Sequence, residues 1–335
     1  MNPCAQKSAL ATRRFRDNAT YQRPQPAYRR MSHRRAVMLM VLVTLLWSMA
    51  GVVSRHLEGA RSFEVTFWRS AFNALALAVA LTALRGPGLW AGLVRAPRIV
   101  WASGLCWAVM YTAFMVALTL TTVANVLVMM ALGPLMTALL ARLFLAQRQP
   151  PRTWLAIVAA GIGIAWMFFR QLDAGVALTG SVVAMAVPLA AAVNWTLLQA
   201  AGHRDNAASA DDAAAPDMLP AVLLGAMISA AATLPLAWPL QATAHDIGLL
   251  GFLGVFQLAV PCLLVVRVSR VLSGAEISLL ALLELIFGVA LAWLGAGEVP
   301  GSDTLTGGAL VVGALVVNEW LALRSRNPAA GRVIN

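Results

Sequence analysis

The chain has 335 residues, of which 60% are hydrophobic and only 12% are charged, and its mean hydropathy is +0.76. Soluble domains carry about 25% charged residues, so this composition excludes a soluble globular protein and indicates a membrane protein. The formal net charge of +11 does not indicate a nucleic-acid-binding protein, because the basic excess lies in the connections between apolar segments.

Apolar segments of transmembrane length follow one another along the chain. No charged residue stands between Arg98 and Arg142, and a single helix of that length would be about twice the ~30 Å hydrocarbon core, so this stretch is predicted to be two spans. Because the connections are short and only helices satisfy so much backbone in lipid, we predict an all-α integral membrane protein. Its ten predicted transmembrane helices cover residues 36–55, 63–84, 99–119, 122–144, 153–169, 179–200, 218–240, 247–266, 275–294 and 305–323.

The placement of arginine predicts the orientation in the membrane. Nine basic residues precede Ala36 in a polar arm, residues 1–35, that is predicted to be disordered. If this arm is cytoplasmic, the connections on the same side hold eight arginines and those on the opposite side hold three. The positive-inside rule then places both termini, including the tail 324–335, on the cytoplasmic side of a bacterial inner (plasma) membrane.

The two halves of the chain carry similar patterns. The stretch "ANVLVMMALGPLMTALLARLFLAQ" (124–147) aligns without a gap on "AEISLLALLELIFGVALAWLGAGE" (275–298), with few identities but with matching hydropathy and a closing polar residue. Because each half holds an odd number of spans, the second copy enters the membrane in the opposite direction, as in many secondary transporters. The pattern predicts two inverted five-helix repeats, residues 36–170 and 178–323.

Four stretches in the first, second, fourth and ninth predicted spans occur in a characteristic order: "LLWSMAGVVSRHL", "FEVTFWRSAF", "ALGPLMTALLARLFLAQR" and "GAEISLLALLELIFGVALAWLGAGE". Together they resemble the EamA-type family of the drug/metabolite transporter superfamily. The resemblance implies ten helices in two five-helix halves, and transport of small metabolites. Two positions depart from the family pattern. Leu285 stands where proline usually follows the glutamate, and Gln147 stands where glutamate usually closes the fourth helix, which argues against a helix break at Glu284 and against an acidic role at Gln147.

Motifs of several enzyme and metal-binding classes are missing from the sequence. Lys7 is the only lysine, so the chain has no Walker A motif and cannot hydrolyse ATP by a P-loop mechanism. It also has no His-Glu-x-x-His motif and no Gly-x-Ser-x-Gly elbow. Three scattered cysteines predict neither a disulfide framework nor a metal site. We therefore predict a protein that is not an enzyme and needs no cofactor or metal.

Polar and aromatic side chains on small-residue helix faces are the candidates for a substrate pathway, because a lipid-facing surface gains nothing from them. The alternative is that small residues only let helices approach and that tryptophans only anchor at interfaces. The alternative suits Trp101 and Trp154, which lie near predicted helix ends. The pathway candidates are Trp47, Ser48, Tyr111, Asn125, Asn194, Trp195, Gln257 and Glu284.

Two charged residues, Arg69 and Glu284, stand out because they lie several residues inside their predicted spans. Arg69 lies near the end of the second span, where it can snorkel outward, bind an anionic group, or close a gate by pairing with an acid. Glu284 lies about 15 Å into the ninth span, and a stripe of small residues, Ala281, Gly288, Ala292 and Gly295, shares its face. Such a face predicts a cavity or a close helix partner rather than lipid. Glu284 is then a proton carrier, a partner for a substrate amine, or a structural acid bonded to a neighbouring helix.

The sequence thus predicts a secondary transporter that exports or exchanges small organic metabolites, amino-acid-like or amphipathic and aromatic compounds, by alternating access. Export is favoured by the family resemblance alone. The expected partners are the metabolite and membrane lipid, with protons as a candidate coupling ion and a homodimer left open; no nucleic acid is expected. The alternative is a passive channel or membrane scaffold whose polar residues serve only packing.

Overall fold

The computed structural model describes residues 31–144, 150–173, 178–207, 219–268, 271–272 and 274–326. Within these ranges the side chains of some helical positions, Trp195 among them, are not described. The predicted disordered arm therefore lies outside the described residues up to position 30, as do Gln147 and the end of the predicted tail.

Regular structure in the described ranges is helical throughout, without a strand. The helices in chain order are His33–Ser54 (α1), Ser62–Arg85 (α2), Gly88–Val94 (α3), Arg98–Leu120 (α4), Val123–Met130 (α5), Gly133–Phe144 (α6), Pro151–Asp173 (α7), Thr179–Ala207 (α8), Leu219–Ala237 (α9), Ala244–Phe252 (α10), the π-helix Leu253–Ala259, Val260–Val268 (α11), Gly274–Ala296 (α12) and Ser302–Arg326 (α13).

Seven helical segments of the described chain are long and apolar enough to cross a membrane. The described parts of α8, α12 and α13 add three shorter apolar stretches, residues 179–194, 283–296 and 302–318. The all-helical prediction and the membrane class are therefore confirmed. Each of the ten predicted segments overlaps a helix, with boundaries that differ by a few residues.

Two prolines explain the breaks in otherwise continuous helical segments. Pro134 has no N–H to offer the preceding turn, and the fourth predicted span divides at Ala131 and Leu132 into α5 and α6. In the eighth span Pro261 follows a π-helical turn, in which the Val260 N–H donates to the Val255 carbonyl five residues back. A π-turn widens the helix and re-aims its side chains, and such turns are frequent at functional sites.

Helix α12, in contrast, runs unbroken from Gly274 to Ala296 through Glu284. With Leu285 in place of a proline, the N–H of residue 285 stays available to the helix. The predicted absence of a break beside Glu284 agrees with this continuous helix.

The helices pack in a network that links the two halves of the chain. Helix α1 lies against α12, α11 and the π-helix, and α2 lies against α9 and the π-helix. Helix α4 packs against α8 and α9, α8 also packs against α5 and α6, and α7 packs against α13. The principal helix contacts thus join segments that are distant in sequence, and the centre of the bundle is lined by both halves.

The apolar side chains divide between an interior and an outer surface. Leucines and methionines such as Leu77, Leu81, Met115, Leu250 and Leu315 are fully buried. Large apolar side chains also cover the outside, where Leu75, Val79, Leu155, Phe169 and Leu294 are 61% to 82% exposed. So extensive an apolar exterior is unfavourable in water and is the surface expected in contact with lipid.

Candidate substrate site at the centre of the bundle

A buried arginine lies at the centre of the contact between α2 and the π-helix. The Arg69 side chain is 1% exposed, and its Nε and Nη2 donate to the Gln257 Oε1 at 3.1 and 2.9 Å. The Gln257 Nε2 in turn donates to the Trp47 backbone carbonyl at 3.1 Å. This chain of hydrogen bonds joins α1, α2 and the π-helix. Arg69 does not snorkel outward, because its guanidinium is held inside by an amide on a neighbouring helix.

The close approach of the π-helix to α2 depends on Gly254. A Cβ at this position would lie 2.7 Å from the Arg69 carbonyl oxygen and 2.9 Å from the Asn73 backbone nitrogen. No side chain fits at that distance, so glycine lets the two backbones touch one turn before Gln257. The π-turn and Gly254 together bring the Gln257 amide to Arg69.

An aromatic side chain and two further polar ones complete the surroundings of Arg69. Its guanidinium carbon lies 5.5 Å from the centre of the Phe114 ring, in cation–π geometry. Asn73, one helical turn along α2, is 0% exposed, and Tyr111 on α4 is 3% exposed. Among the described residues, neither the Asn73 amide nor the Tyr111 hydroxyl has a partner at hydrogen-bonding geometry, although the Tyr111 hydroxyl lies near both the Asn73 amide and the Cys262 thiol. The Nη1 of Arg69 is likewise buried without a partner there.

Glu284 and Cys262 also lie within electrostatic range of the Arg69 guanidinium. The small-residue stripe that was predicted to share the face of Glu284 faces protein at two positions. Gly288 packs against Leu127 and Ser48, and Gly295 packs against Val52. The stripe therefore forms the close contact of α12 with α1 and α5, which places Glu284 among helices.

The structure brings some of the sequence-predicted residues to this centre and places others elsewhere. Trp47, Tyr111, Gln257, Arg69 and Glu284 belong to it through the contacts given above. Ser48 is 2% exposed beside Gly288, with its hydroxyl donating to the Leu45 carbonyl of its own helix at 2.7 Å. The side chain of Trp195 lies outside the described residues.

Two predicted asparagines take part in helix-to-helix hydrogen bonds away from Arg69. The Asn125 Nδ2 donates to the Thr121 and Ser181 hydroxyls at 3.0 and 2.6 Å, which joins α5 to α8. The Asn194 Oδ1 accepts from the Ser103 hydroxyl at 2.6 Å, which joins α8 to α4. Both asparagines are buried, and both bonds hold neighbouring helices together.

A second polar cluster lies at the end of the bundle where α1 ends and α2 begins, here called the carboxylate end. The Asp246 carboxylate accepts from the backbone N–H groups of Glu58, Gly59, Ala60 and Thr243 at 2.8 to 3.1 Å. The Glu64 carboxylate accepts from the backbone N–H groups of Gln241 and Ala242 at 2.8 to 2.9 Å. Each acid thus holds the loop beside the other acid's helix.

An ion pair fastens the same end. The Glu298 carboxylate accepts from the Arg55 Nε at 2.7 Å and from the Val123 backbone N–H at 2.6 Å. Arg55 also donates to the Leu118 and Thr121 carbonyls at 2.7 and 2.8 Å. The closing polar residue of the second repeat pattern therefore ties the α12–α13 connection to the ends of α1 and α4.

Sequence reasoning missed Asn73 and Cys262. Asn73 lies four residues after Arg69, so the two share a helix face, and an amide on the face of a charged residue inside an apolar span was the available signal. Cys262 carried no such signal, because cysteine behaves as a small apolar residue in a helix. The described residues contain no group of three or more histidines, cysteines or acids placed to hold a metal ion.

Comparison with known proteins shows a family likeness over the first half of the chain. Residues 34–169 match the EamA-like transporter family. This match covers less than half of the chain. An uncharacterized transporter of Pseudomonas aeruginosa is 27% identical over 135 residues, which are 39% of this chain and 45% of that protein. The match therefore spans about half the length of this relative.

Structural likeness to a known protein extends beyond the residues that the family model matches. A protein of known crystal structure superposes with a TM-score of 0.57 at 19% sequence identity, over 88% of this chain and 99% of the other. At this identity the likeness is one of fold alone. It covers both halves of the chain, whereas the family match covers the first. The likeness of residues 34–169 to a transporter family and the multi-pass apolar helices together agree with a membrane protein similar to transporters.

Proposed function

We propose that the protein is a secondary transporter that exports or exchanges small organic metabolites across the bacterial inner membrane by alternating access. The observation that carries the proposal is the buried link from Arg69 through Gln257 to Trp47. A buried arginine, with neighbouring polar groups that have no partner in the described part of the chain, is energetically unfavourable in the middle of an apolar bundle. Charged groups at such positions in membrane proteins mark substrate or ion pathways.

The helix packing supports two inverted five-helix halves. If the ten segments are numbered along the chain, the first packs on the ninth and the sixth on the fourth. The second packs on the eighth and the seventh on the third, while the third packs on the sixth and the eighth on the first. Segments one to five correspond in order to segments six to ten. When both members of any one of these pairs are replaced by their counterparts, the result is another pair that packs together. The fifth with the tenth, and the second with the seventh, pair with their own counterparts. This pattern is the one expected of inverted repeats around a shared central site.

The location of the polar centre agrees with such a carrier. Arg69 and Trp47 belong to the first half and Gln257 to the second, so the central hydrogen bonds cross the interface that would move in alternating access. The aromatic rings of Phe114, Trp107 and Tyr111 lie on the neighbouring α4, with Trp107 and Tyr111 centred 5.5 Å apart. Aromatic walls beside a cation suit amino-acid-like or amphipathic aromatic compounds.

Counterflow in proteoliposomes tests the proposal. Purified protein is reconstituted, the vesicles are loaded with a high concentration of one member of a metabolite panel, and uptake of the same labelled compound is followed. A carrier gives a transient accumulation that saturates with concentration, whereas a channel gives neither saturation nor exchange and a scaffold gives no flux. Absence of counterflow with amino acids, organic acids, amines and aromatic compounds would contradict the carrier.

Glu284 is the proposed proton-coupling residue, because it combines a titratable side chain with a position among helices near Arg69. Glu284→Gln keeps the shape and the hydrogen-bonding capacity but cannot titrate. We expect it to abolish accumulation driven by an imposed proton gradient while sparing exchange of substrate. Full proton-driven accumulation by Glu284→Gln would contradict the coupling role, and a folded, fully active Glu284→Ala would remove Glu284 from the transport mechanism.

The proposed orientation places both termini in the cytoplasm. Reporters fused after Arg34 and after Leu323 are expected to give cytoplasmic signals, and a reporter between positions 170 and 179 is expected to give a periplasmic one. A periplasmic C-terminus would contradict the ten-span topology without affecting the transport assay.

A further inference from the structure

Unpartnered polar atoms concentrate beside Arg69. The Nη1 of Arg69, both amide atoms of Asn73 and the Tyr111 hydroxyl are buried and have no hydrogen-bond partner among the described residues. Buried polar groups in folded proteins are nearly always hydrogen-bonded, and each exception calls for an explanation. Four such atoms on three neighbouring side chains, at a site lined by both halves of a transporter, point to a ligand.

The hydrogen-bonding capacity and charge of these side chains indicate the class of ligand that would bind. The guanidinium N–H, the Asn73 amide N–H and the Tyr111 O–H are donors, and the guanidinium carries a permanent positive charge. The Asn73 Oδ1 is an acceptor, and it lies near the Tyr111 hydroxyl. Donors converging with one cation are complementary to an anionic group rich in acceptors. Arginine presents its Nε and Nη2 donors as a planar fork that matches the two oxygens of a carboxylate.

That fork is occupied by a neutral oxygen in this structure. Both Nε and Nη2 of Arg69 donate to the single Gln257 Oε1. An amide oxygen that accepts from both arms of the fork stands where a carboxylate would be bound. A carboxylate offers a separate oxygen to each arm of the fork and adds the attraction between two opposite charges, so it is the better ligand for the same fork.

We propose that Arg69, Asn73 and Tyr111 bind the carboxylate of the transported metabolite, and that Gln257 is an internal ligand that this carboxylate displaces. The inference rests on the proposed transport function and adds the substrate class, a small monocarboxylate or amino acid. A phosphate dianion is disfavoured, because it would bring two negative charges to one guanidinium with the Glu284 carboxyl within electrostatic range.

Displacement of Gln257 would also change the contacts between the halves. The Gln257 Nε2 donates to the Trp47 carbonyl on α1, while its Oε1 accepts from Arg69 on α2. When a carboxylate binds Arg69, the two hydrogen bonds from Arg69 on α2 to Gln257 on the π-helix are lost. Substrate binding would then loosen one of the contacts between the two halves, and contacts of this kind must change in alternating access.

Matched acids and amides test the substrate class. L-amino acids and aliphatic or aromatic monocarboxylates are each compared with their own primary amide, first in proteoliposome counterflow and then by the thermal stabilisation of purified protein in detergent. We expect each active acid to outperform its amide by about tenfold or more in half-saturating concentration, which corresponds to about 1.4 kcal/mol. Equal performance of acid and amide would overturn the inference while leaving the carrier function intact.

Amino-acid substitutions test which residues produce the preference for the acid over its amide. Asn73→Leu is expected to raise the half-saturating concentration of the acid about tenfold and to narrow the difference between acid and amide. Asn318→Leu is the matched control, since Asn318 is also a buried helical asparagine but bonds to the Thr153 hydroxyl at 3.0 Å, between α13 and α7. For Asn318→Leu, the ratio of the half-saturating concentrations of acid and amide should equal that of the wild-type protein. An unchanged ratio in a folded Asn73→Leu would exclude Asn73 from the carboxylate site.

Gln257 gives the test of displacement. Gln257→Glu places a permanent carboxylate against Arg69, so the acid should lose its ability to stabilise the protein. Gln257→Met removes the internal ligand, so the acid should stabilise the protein at a lower concentration than in wild type. If both variants bind the acid as wild type does, Gln257 is not a competitor and the proposal is wrong. If no compound is transported but an acid still stabilises the protein better than its amide, the carrier function fails and the carboxylate site stands. If no acid produces stabilisation, the carboxylate site is overturned.

Discussion

The polar residues around Arg69 and those at the carboxylate end are equally buried, but their hydrogen bonding is opposite. At the carboxylate end Glu64 and Asp246, 1% and 0% exposed, accept from several backbone N–H groups each. At the centre Arg69 and Asn73, 1% and 0% exposed, keep unpartnered atoms among the described residues. Polar groups whose hydrogen bonds are made within the chain stabilise the fold, whereas buried polar groups without such partners are available to bind a ligand.

The carboxylate end owes its saturation to local helix chemistry. Glu64 lies in the first turn of α2, and Asp246 forms a capping box with Thr243 at the start of α10. Acids are favoured at helix N-termini by the helix dipole and by free N–H groups. Each acid then extends to the neighbouring loop, so that two helix starts and two loops form one hydrogen-bonded unit. We therefore expect substitutions there to affect stability and substitutions at the centre to affect transport.

Loss of the central cation should have the largest effect on transport. Arg69→Met removes the two donors that are proposed to bind the substrate carboxylate. Hydrogen bonds to charged groups contribute about 1.5–3 kcal/mol each, so the transport rate at low substrate concentration should fall about 100-fold or more. The initial rate of counterflow at matched protein content measures the effect.

Arg170→Met is the control for this substitution. Arg170 pairs with Asp303 at 3.1 Å in a half-exposed position at the end of α7, so its transport rate should stay within about twofold of wild type. Similar rates for Arg69→Met and Arg170→Met would mean that the central arginine is structural.

The next largest effect should be a loss of stability when a fully hydrogen-bonded carboxylate is removed. Asp246→Ala leaves four backbone N–H groups without their acceptor, and we expect a loss of about 2–4 kcal/mol in the free energy of unfolding. Thermal unfolding in detergent measures it, with Asp303→Ala as the exposed comparison, for which about 0–1 kcal/mol is expected. The half-saturating substrate concentration of the remaining folded Asp246→Ala should be unchanged; a selective loss of substrate affinity at wild-type stability would reverse the assignment of the two regions.

Substitutions of aromatic residues at the centre should reduce transport more than those near helix ends, but by a smaller factor than Arg69→Met. Trp47→Ala, Tyr111→Ala and Trp195→Ala should each reduce transport about three- to tenfold, since aromatic contacts contribute about 0.5–1.5 kcal/mol beyond their buried area. Trp101→Ala and Trp154→Ala, whose side chains are 43% and 39% exposed, should change it less than about twofold. Transport rates at matched expression decide, and equal losses in both groups would show that helix-face periodicity does not identify the substrate pathway.

The ion pair of the carboxylate end should have the smallest effect. Glu298→Gln keeps an acceptor for Val123 and Arg55 but removes the charge from a pair whose side chains are 16% and 29% exposed. We expect a loss of about 0.5–1 kcal/mol that shrinks at high salt. Thermal unfolding at low and high ionic strength measures it, and a loss as large as that of Asp246→Ala would mean that Glu298 acts through its buried bond to Val123 instead.

Much of the centre could be predicted from the sequence, and part of it could not. Arg69, Gln257 and Glu284 are conspicuous because a charge or amide in an apolar span needs a partner inside the protein. Asn125 is equally conspicuous, yet the structure pairs it with Thr121 and Ser181. Polarity inside a span predicts burial against protein. It does not tell a structural hydrogen bond from a substrate contact, because that depends on which acceptors the neighbouring helices present.

The sequence by itself determined the membrane class, the helical segments and the family resemblance, since hydropathy, helix length and proline breaks are local properties of the chain. It also indicated that the small residues on the face of Glu284 would lie against protein. Only the tertiary structure decided which polar groups meet: Arg69 and Gln257 are 188 residues apart, and Glu64 lies 177 residues from the loop that it holds. Such pairs depend on helix packing, on the π-turn before Pro261 and on the close approach at Gly254. They join residues that are distant in the sequence, so local sequence patterns do not predict them.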